Sequence, residues 1–189
     1  MQPFENKGIQ PTSPNLSPQV PMPIYLRALE PEDLDLLYTI ENAPELWAVN
    51  TNIEPYSRFA LKKYIAEQPN DIYQTGSLRL IICKTNDDTA VGIVDLFDFS
   101  PTHNRAEVGI ALLESEREKG LGTAALQALE DFARKKIRLR MLYAYISEQN
   151  NPKSQTCFNS AGYQRTATIP KWHYNGQEFE DVSFFQLFL

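Results

Sequence analysis

From Val108 the chain reads Val-Gly-Ile-Ala-Leu-Leu, and a few residues on it continues Arg117-Glu118-Lys119-Gly120-Leu121-Gly122-Thr123. An apolar strand here runs into a glycine-bearing turn and then into a helix N-terminus. Glycines at 120 and 122 let the backbone come close to a ligand and turn successive N–H groups inward, and the helix dipole adds partial positive charge. Such a device suits an anion, and a pyrophosphate fits it. The spacing matches neither of two common phosphate loops, because no third glycine and no Gly-Lys-Ser/Thr follows. A purely structural turn is the competing reading of Gly-x-Gly taken alone.

Just upstream, alternation along Arg105 to Leu112 puts Glu107 on the strand face opposite Val108, Ile110 and Leu112. A carboxylate there suits a general base acting through water. It equally suits a solvated strand residue or an ion pair with Arg105. The only cysteines, Cys83 and Cys157, and the only histidines, His103 and His173, are scattered without metal-ligand spacing, so no structural metal and no disulfide is expected.

The elements that must position these groups follow from punctuation and period. Six prolines among polar residues before Ile24 deny the first 23 residues a helix or an apolar face, so they are expected to be a flexible tail. A polyproline partner segment is the alternative, but no flanking basic residues support it. From Ile24 a short strand precedes Glu30-Pro31-Glu32-Asp33, a proline-bearing acidic first turn that opens a helix through Leu34, Leu37 and Glu41. A second helix, capped by Ser57 and ended before Pro69, carries Phe59, Leu61, Tyr64 and Ile65. Leu78 to Lys84, Ala90 to Phe99 and Arg105 to Leu112 form an antiparallel meander. A long helix from about Gly120 to Lys136 carries the stripe Leu121, Ala125, Ala128 and Phe132. Then come a strand Met141 to Ile146, a short helix from about Pro152 to Ala161, a strand from Tyr163, and a last strand Asp181 to Leu189 after the turn at Asn175-Gly176. Helices on a largely antiparallel sheet make an α+β or mixed α/β layer.

The 189 residues predict one domain over 24–189, and 42% hydrophobic residues suffice for its core. A net charge of −6 without runs of like charge leaves no footprint for nucleic acid or an anionic membrane. No apolar run of membrane-spanning length and no secretory leader stands out, so the cytoplasm is the expected compartment.

Arg117-x-x-Gly120-x-Gly122, after a strand and before a long helix, resembles the Gln/Arg-x-x-Gly-x-Gly/Ala motif of GNAT acetyltransferases. About thirty residues downstream, Asn151-x-x-Ser154-x-x-x-Phe158-x-x-x-Gly162-Tyr163 resembles that family's second signature. The structural roles of Asn151 and Gly162, a helix cap and a helix C-terminus, are compatible with it. Further similarity to the spermidine and diamine acetyltransferases runs through Leu26-Arg27-Ala28-Leu29-Glu30, Glu54-Pro55-Tyr56, Val91-Gly92-Ile93-Val94-Asp95-Leu96, Asn104-Arg105-Ala106-Glu107 and Tyr174-Asn175-Gly176-Gln177.

The resemblance implies the acyl-CoA N-acyltransferase fold, a mixed, mostly antiparallel twisted sheet flanked by helices. It implies acetyl-CoA as cosubstrate with no metal required. The CoA diphosphate would lie on residues 117 to 123, with Asn151 and Ser154 nearby, and the pantetheine arm along the backbone of Ile110, Ala111 and Leu112. The acceptor it implies is a primary amine, a polyamine or small diamine, with Glu41 and Glu54 at acidic positions that help form the family's polyamine-binding surface. Beside Glu107, the base that alternation favours, Asp95 on the neighbouring strand would share its task or bind a second ammonium, and Asp98 is a weaker candidate. Protein N-terminal acetylation and a catalytically weak acyl-CoA or polyamine binding module are the alternatives. Homo-oligomers among the relatives make self-association an expectation. One departure stands out: Phe158 occupies the position of the tyrosine that protonates the leaving thiolate. Tyr163, Tyr145 or water would have to substitute, whereas Cys157, about 100° around the helix, would not.

Overall fold

The computed structural model describes residues 22–44, 54–69, 71–149 and 151–189. The tail expected over 1–23 lies, but for Met22 and Pro23, outside the described residues.

Seven strands form one sheet: β1 (Ile24–Ala28), β2 (Leu78–Lys84), β3 (Ala90–Ser100), β4 (Arg105–Leu112), β5 (Met141–Ser147), β6 (Gln164–Tyr174) and β7 (Phe179–Phe188). Their spatial order is β1-β2-β3-β4-β5-β7-β6. Every pair is antiparallel except β4 with β5, which run parallel. A long helix joins that parallel pair, as a crossover demands. Helices α1 (Leu34–Glu41) and α2 (Arg58–Glu67) lie on one face, and α4 (Leu121–Phe132) and α5 (Pro152–Ser160) on the other. Period-two alternation splits β1 to β4 between two cores. Leu80, Ile82, Ala106, Val108, Ile110 and Leu112 pack toward α4, while Ile81, Cys83 and Ile93 pack under Leu37, Ile40 and Leu61.

Local chemistry accounts for the boundaries. Glu30 and Asp33 close a reciprocal capping box around Pro31, and Arg27 grips both Asp33 oxygens at 2.6 Å, so a 3-10 turn opens α1. Ser57 caps α2 by accepting from the Ala60 N–H, as expected. Phe59 is solvent-exposed and contributes nothing to the core. A four-residue helix, α3 (Ile72–Thr75), capped by Asp71, was not foreseen. The long helix carries its expected stripe, with Leu121 and Ala125 buried and Ala128 and Phe132 packed against the same core; Ala124, Leu126 and Leu129 are buried beside them. It departs from expectation at its C-terminal end, where α-helical bonding stops at Phe132 and Ala133–Ile137 form a π turn. The last strand begins at Phe179, two residues early.

Among the described residues no helix is long and apolar enough to cross a membrane. Both cysteines are free thiols.

Candidate functional site

β4 and β5 pair only through Arg105↔Met141, Ala106↔Leu142 and Glu107↔Tyr143. Beyond Glu107 the strands diverge, while β4 stays paired to β3 as far as Leu112. The β5-facing backbone groups of residues 108–112 therefore have no strand partner on that side. An open cleft of about 490 Å³ occupies the gap and passes through the sheet. Ile110, Ala144, Ile146, Asn151, Ser154 and Phe158 line it on the α4/α5 side. Glu41, Arg79, Asp95, Phe97, Glu107 and Tyr145 line it on the other.

Glu107 stands at the fork. Burial, with the charge of Asp98 adding, pushes its carboxyl up to about 7. No ion pair joins it to Arg105 among the described residues, so that alternative is not realised. Arg105 instead sits over the Tyr143 ring, 5.9 Å from its centroid. Asp98 has φ +47 within a bulge of β3 between Phe97 and Ser100. The bulge turns Asp98 toward the Glu107 face, where the Tyr143 hydroxyl donates to it. Tyr145, next on that face, carries a phenol raised by burial and by Glu107, and it keeps its proton at neutral pH. Its ring stacks on Trp172 at 6.2 Å and 24°.

The turn before α4 is built as its sequence suggests. Gly120, at φ +76, is the N-cap and leaves open space where a side chain would stand; no side chain caps the helix, so its first N–H groups are unclaimed by α4 itself. Arg117 donates through Nε to the Leu112 carbonyl at 3.0 Å, tying the turn to the end of β4. Its guanidinium is thus turned to the protein. Gly122 lies against α5, where an added Cβ would stand 2.9 Å from Cys157 Sγ. Glu118 is ion-paired with Lys153, Lys119 with Glu116, and Thr123 contacts Cys157 at 3.8 Å. Leu121 is buried beneath the turn. The two signatures, far apart in sequence, thus meet in space through Gly122–Cys157 and Glu118–Lys153. Asn151 caps α5 by accepting from the Ser154 N–H, and Gly162, at φ +94, ends it.

Three expectations fare differently. Phe158 is 2% exposed and packs edge-on against Tyr163, at 4.9 Å, while still lining the cleft. Tyr163 is buried outside the cleft lining, and among the described residues its hydroxyl has no hydrogen-bond partner, so it is not poised as a substitute acid. Glu54 is exposed and does not line the cleft. Glu41 and Asp95 do line it, but Arg79 lies between them. Its Nε and Nη2 reach the two Asp95 oxygens at 2.8 Å, and Nη1 reaches Glu41 at 2.5 Å. Neither carboxylate is presented bare. Reading motifs alone missed Arg79, although the register Arg79↔Asp95 was available by counting across the hairpin. It also missed Phe97 and Trp172, which reach the cleft only through tertiary structure. Among the described residues no group of three or more His, Cys, Asp or Glu is arranged to hold a metal.

Residues 24–164 match the family model described as the acetyltransferase (GNAT) domain, and the chain belongs to that family. The fold is the GNAT fold, a mixed seven-stranded sheet flanked by helices. Among individual proteins, the chain is similar to the spermidine N(1)-acetyltransferase of Escherichia coli (strain K12), 27% identical over 128 residues, which are 67% of this chain and 66% of that enzyme. The aligned region thus falls just short of two thirds of the curated relative. In three dimensions it is similar to the spermidine N-acetyltransferase of Vibrio cholerae solved in complex with CoA and spermine. The TM-score is 0.75 at 20% identity, covering 88% of this chain and 95% of that one.

Proposed function

We propose that this chain, through a domain spanning 24–189, transfers the acetyl group of acetyl-CoA to a small primary amine by direct attack in a ternary complex. One observation carries the reading: Glu107, with a carboxyl raised to about 7, stands where β4 and β5 part, beside a β4 edge that has no strand partner on its β5 side beyond Glu107. The donor set suits the thioester. The uncapped N-terminus of α4 and the open αL turn at Gly120 fit a diphosphate, and the β4 edge at Ile110, Ala111 and Leu112 fits the amides of an extended pantetheine arm.

An alkylammonium with a pKa near 10.4 is neutral in only about one molecule in a few thousand at pH 7, a deficit of roughly 4 to 5 kcal/mol. Glu107, acting through water, takes one proton as the amine enters the cleft. The nitrogen then attacks the carbonyl carbon, forming the N–C bond. The oxyanion is met by backbone N–H groups of β4. Collapse breaks the C–S bond, the second nitrogen proton passes to water, and the thiolate takes a proton from the Tyr145 hydroxyl or from water to give free CoA. Phe158 has no proton to supply, and the Tyr145 hydroxyl is the phenol lining the cleft. Holding both substrates in the fork is the main source of rate.

Two variants separate these roles. Tyr145→Phe is expected to lower kcat by about 10- to 100-fold, and Phe158→Tyr to raise it by up to about 100-fold, in steady-state assays at pH 7.5. No change in either assigns thiolate protonation to water. Asp98→Asn removes the charge beside Glu107 and moves the acid limb of the pH–rate profile to lower pH. The displacement is less than half of that from 4.5 to about 7, because burial is the larger cause.

The deciding experiment monitors thiol release from acetyl-CoA across an amine panel. Spermidine and small diamines belong in it because the relatives carry that name. Turnover with small amines supports the reading. Turnover confined to peptides instead assigns protein N-terminal acetylation, and CoA binding without turnover assigns a binding module.

A further inference from the structure

The sheet face at the fork carries two carboxylates where strand alternation would give it one. Leu96 and Phe99, both on β3, pack into the core beneath α4. Phe97 and Asp98, between them, therefore share the opposite face with Glu107. A bulge makes this possible, because Phe97 pairs with Glu107 and Ser100 with Arg105, three steps along β3 against two along β4. The irregularity is taken up at Asp98, whose φ of +47 is a left-handed conformation that a residue other than glycine adopts at a cost.

The Asp98 side chain is held by Tyr143, whose hydroxyl donates to its Oδ2. Tyr143 is also the register partner of Glu107, in the last pair before β4 and β5 part. The tyrosine is buried and the aspartate exposed, so among the described residues this one bond keeps the Asp98 carboxylate from turning into solvent. Burial, then the bond to Asp98, raises the Tyr143 phenol, and it stays a donor throughout. No other group facing Glu107 duplicates the charge. Tyr145, which makes an aromatic wall with Trp172 and with Phe184 at 5.0 Å, keeps its proton. Arg105 lies over the Tyr143 ring, Arg79 bridges Asp95 and Glu41, and His173 faces Glu180 at 3.7 Å.

We propose that Tyr143 is a positioning residue for the acetyl transfer: its hydroxyl pins Asp98 beside Glu107, so that two carboxylates meet the ammonium entering the fork. This rests on the amine-acetylation reading above. Two negative charges attract the cation more strongly than one. The second also makes Glu107 the better proton acceptor, because protonating Glu107 relieves their repulsion. Burial is the larger cause of that basicity, and Asp98 is the charge that adds to it.

Carbon-13 NMR of the Glu107 carboxyl, followed as pH is varied on the CoA-free protein, reads the arrangement without turnover. Tyr143→Phe keeps the ring and removes only the donor. It is expected to lower the Glu107 midpoint by about 0.3 pH unit or more, and Asp98→Asn by about 0.5 to 1. In the Asp98→Asn background, Tyr143→Phe should add nothing, since its effect passes through Asp98. The acid limb of kcat/KM should move with the same midpoints. A merely structural tyrosine would lower the melting temperature and leave the midpoint in place. An unchanged or raised midpoint in a Tyr143→Phe protein that melts cooperatively overturns the assignment, as does an equal shift in both backgrounds. So does an unmoved midpoint in Asp98→Asn, which alters an exposed position and leaves the core intact. Absence of turnover with every amine sinks the proposed function alone, because the titration still decides whether Tyr143 holds Asp98 at Glu107.

Discussion

Replacing Glu107 by Gln is expected to lower kcat/KM for a primary amine by about 10²- to 10⁴-fold, the range a positioned general base contributes. The substitution keeps the shape and removes only the basicity. Because the Glu107 carboxyl titrates near 7, activity of the unaltered protein should rise with pH through that value, and the variant should lose this limb. Stability should move the other way. The folded-state pKa lies above the ordinary 4.5, so protonation favours the folded chain. The stability it gives is full below about 4.5, is lost as pH rises, and is gone above about 7. The Gln variant is spared that loss, so it should melt at a higher temperature than the parent at pH 8 and at nearly the same temperature at pH 4.5. A structural carboxylate would lose stability on replacement. Equal activity of the two proteins at pH 7.5 would remove Glu107 from the chemistry.

Gly122→Val is expected to weaken CoA binding by at least about 100-fold, roughly 2.7 kcal/mol. Gly122 is in the first turn of α4, where a Cβ would lie 2.9 Å from Cys157 Sγ and 3.7 Å from Leu112 Cδ1. A branched side chain must push the helix N-terminus away from α5 and from the end of β4, and overpacking of this kind costs about 1–3 kcal/mol. The turn that aims N–H groups at the diphosphate is displaced with it. Titration calorimetry reads the affinity, and thermal melting separates it from global instability. Unchanged affinity in a folded variant would mean that the turn is not where the nucleotide end binds.

The strands were legible because their turns are punctuated and their faces alternate. Leu78–Lys84 and Arg105–Leu112 have the bounds that periodicity assigns. The glycine turn and the caps at Ser57 and Asn151 were legible because each is local, a residue type answering a backbone need within a few positions. α3 escaped because four residues are too short to show a period, and the early end of α4 because a π turn keeps the same apolar residues as a helix. The side of the cleft where the two linear motifs meet was legible in the sequence. The side lined by Glu107 and Arg79 was poorly legible. Glu41 and Asp95 are carboxylates in any reading, but that Arg79 bridges them depends on tertiary structure bringing Glu41 of α1 to β2. The aromatic wall depends on Tyr145↔Phe184 pairing and on a hairpin that returns Trp172 to the fork.

Calorimetry of the unaltered protein with CoA and with pantetheine, which lacks the diphosphate, tests the anion-gripping turn at residues 117–123 most directly. CoA should bind with a Kd in the range of about 1 µM to 1 mM, and pantetheine about 100-fold or more weaker. Absence of any association with CoA, or equal affinity for the two, would contradict it.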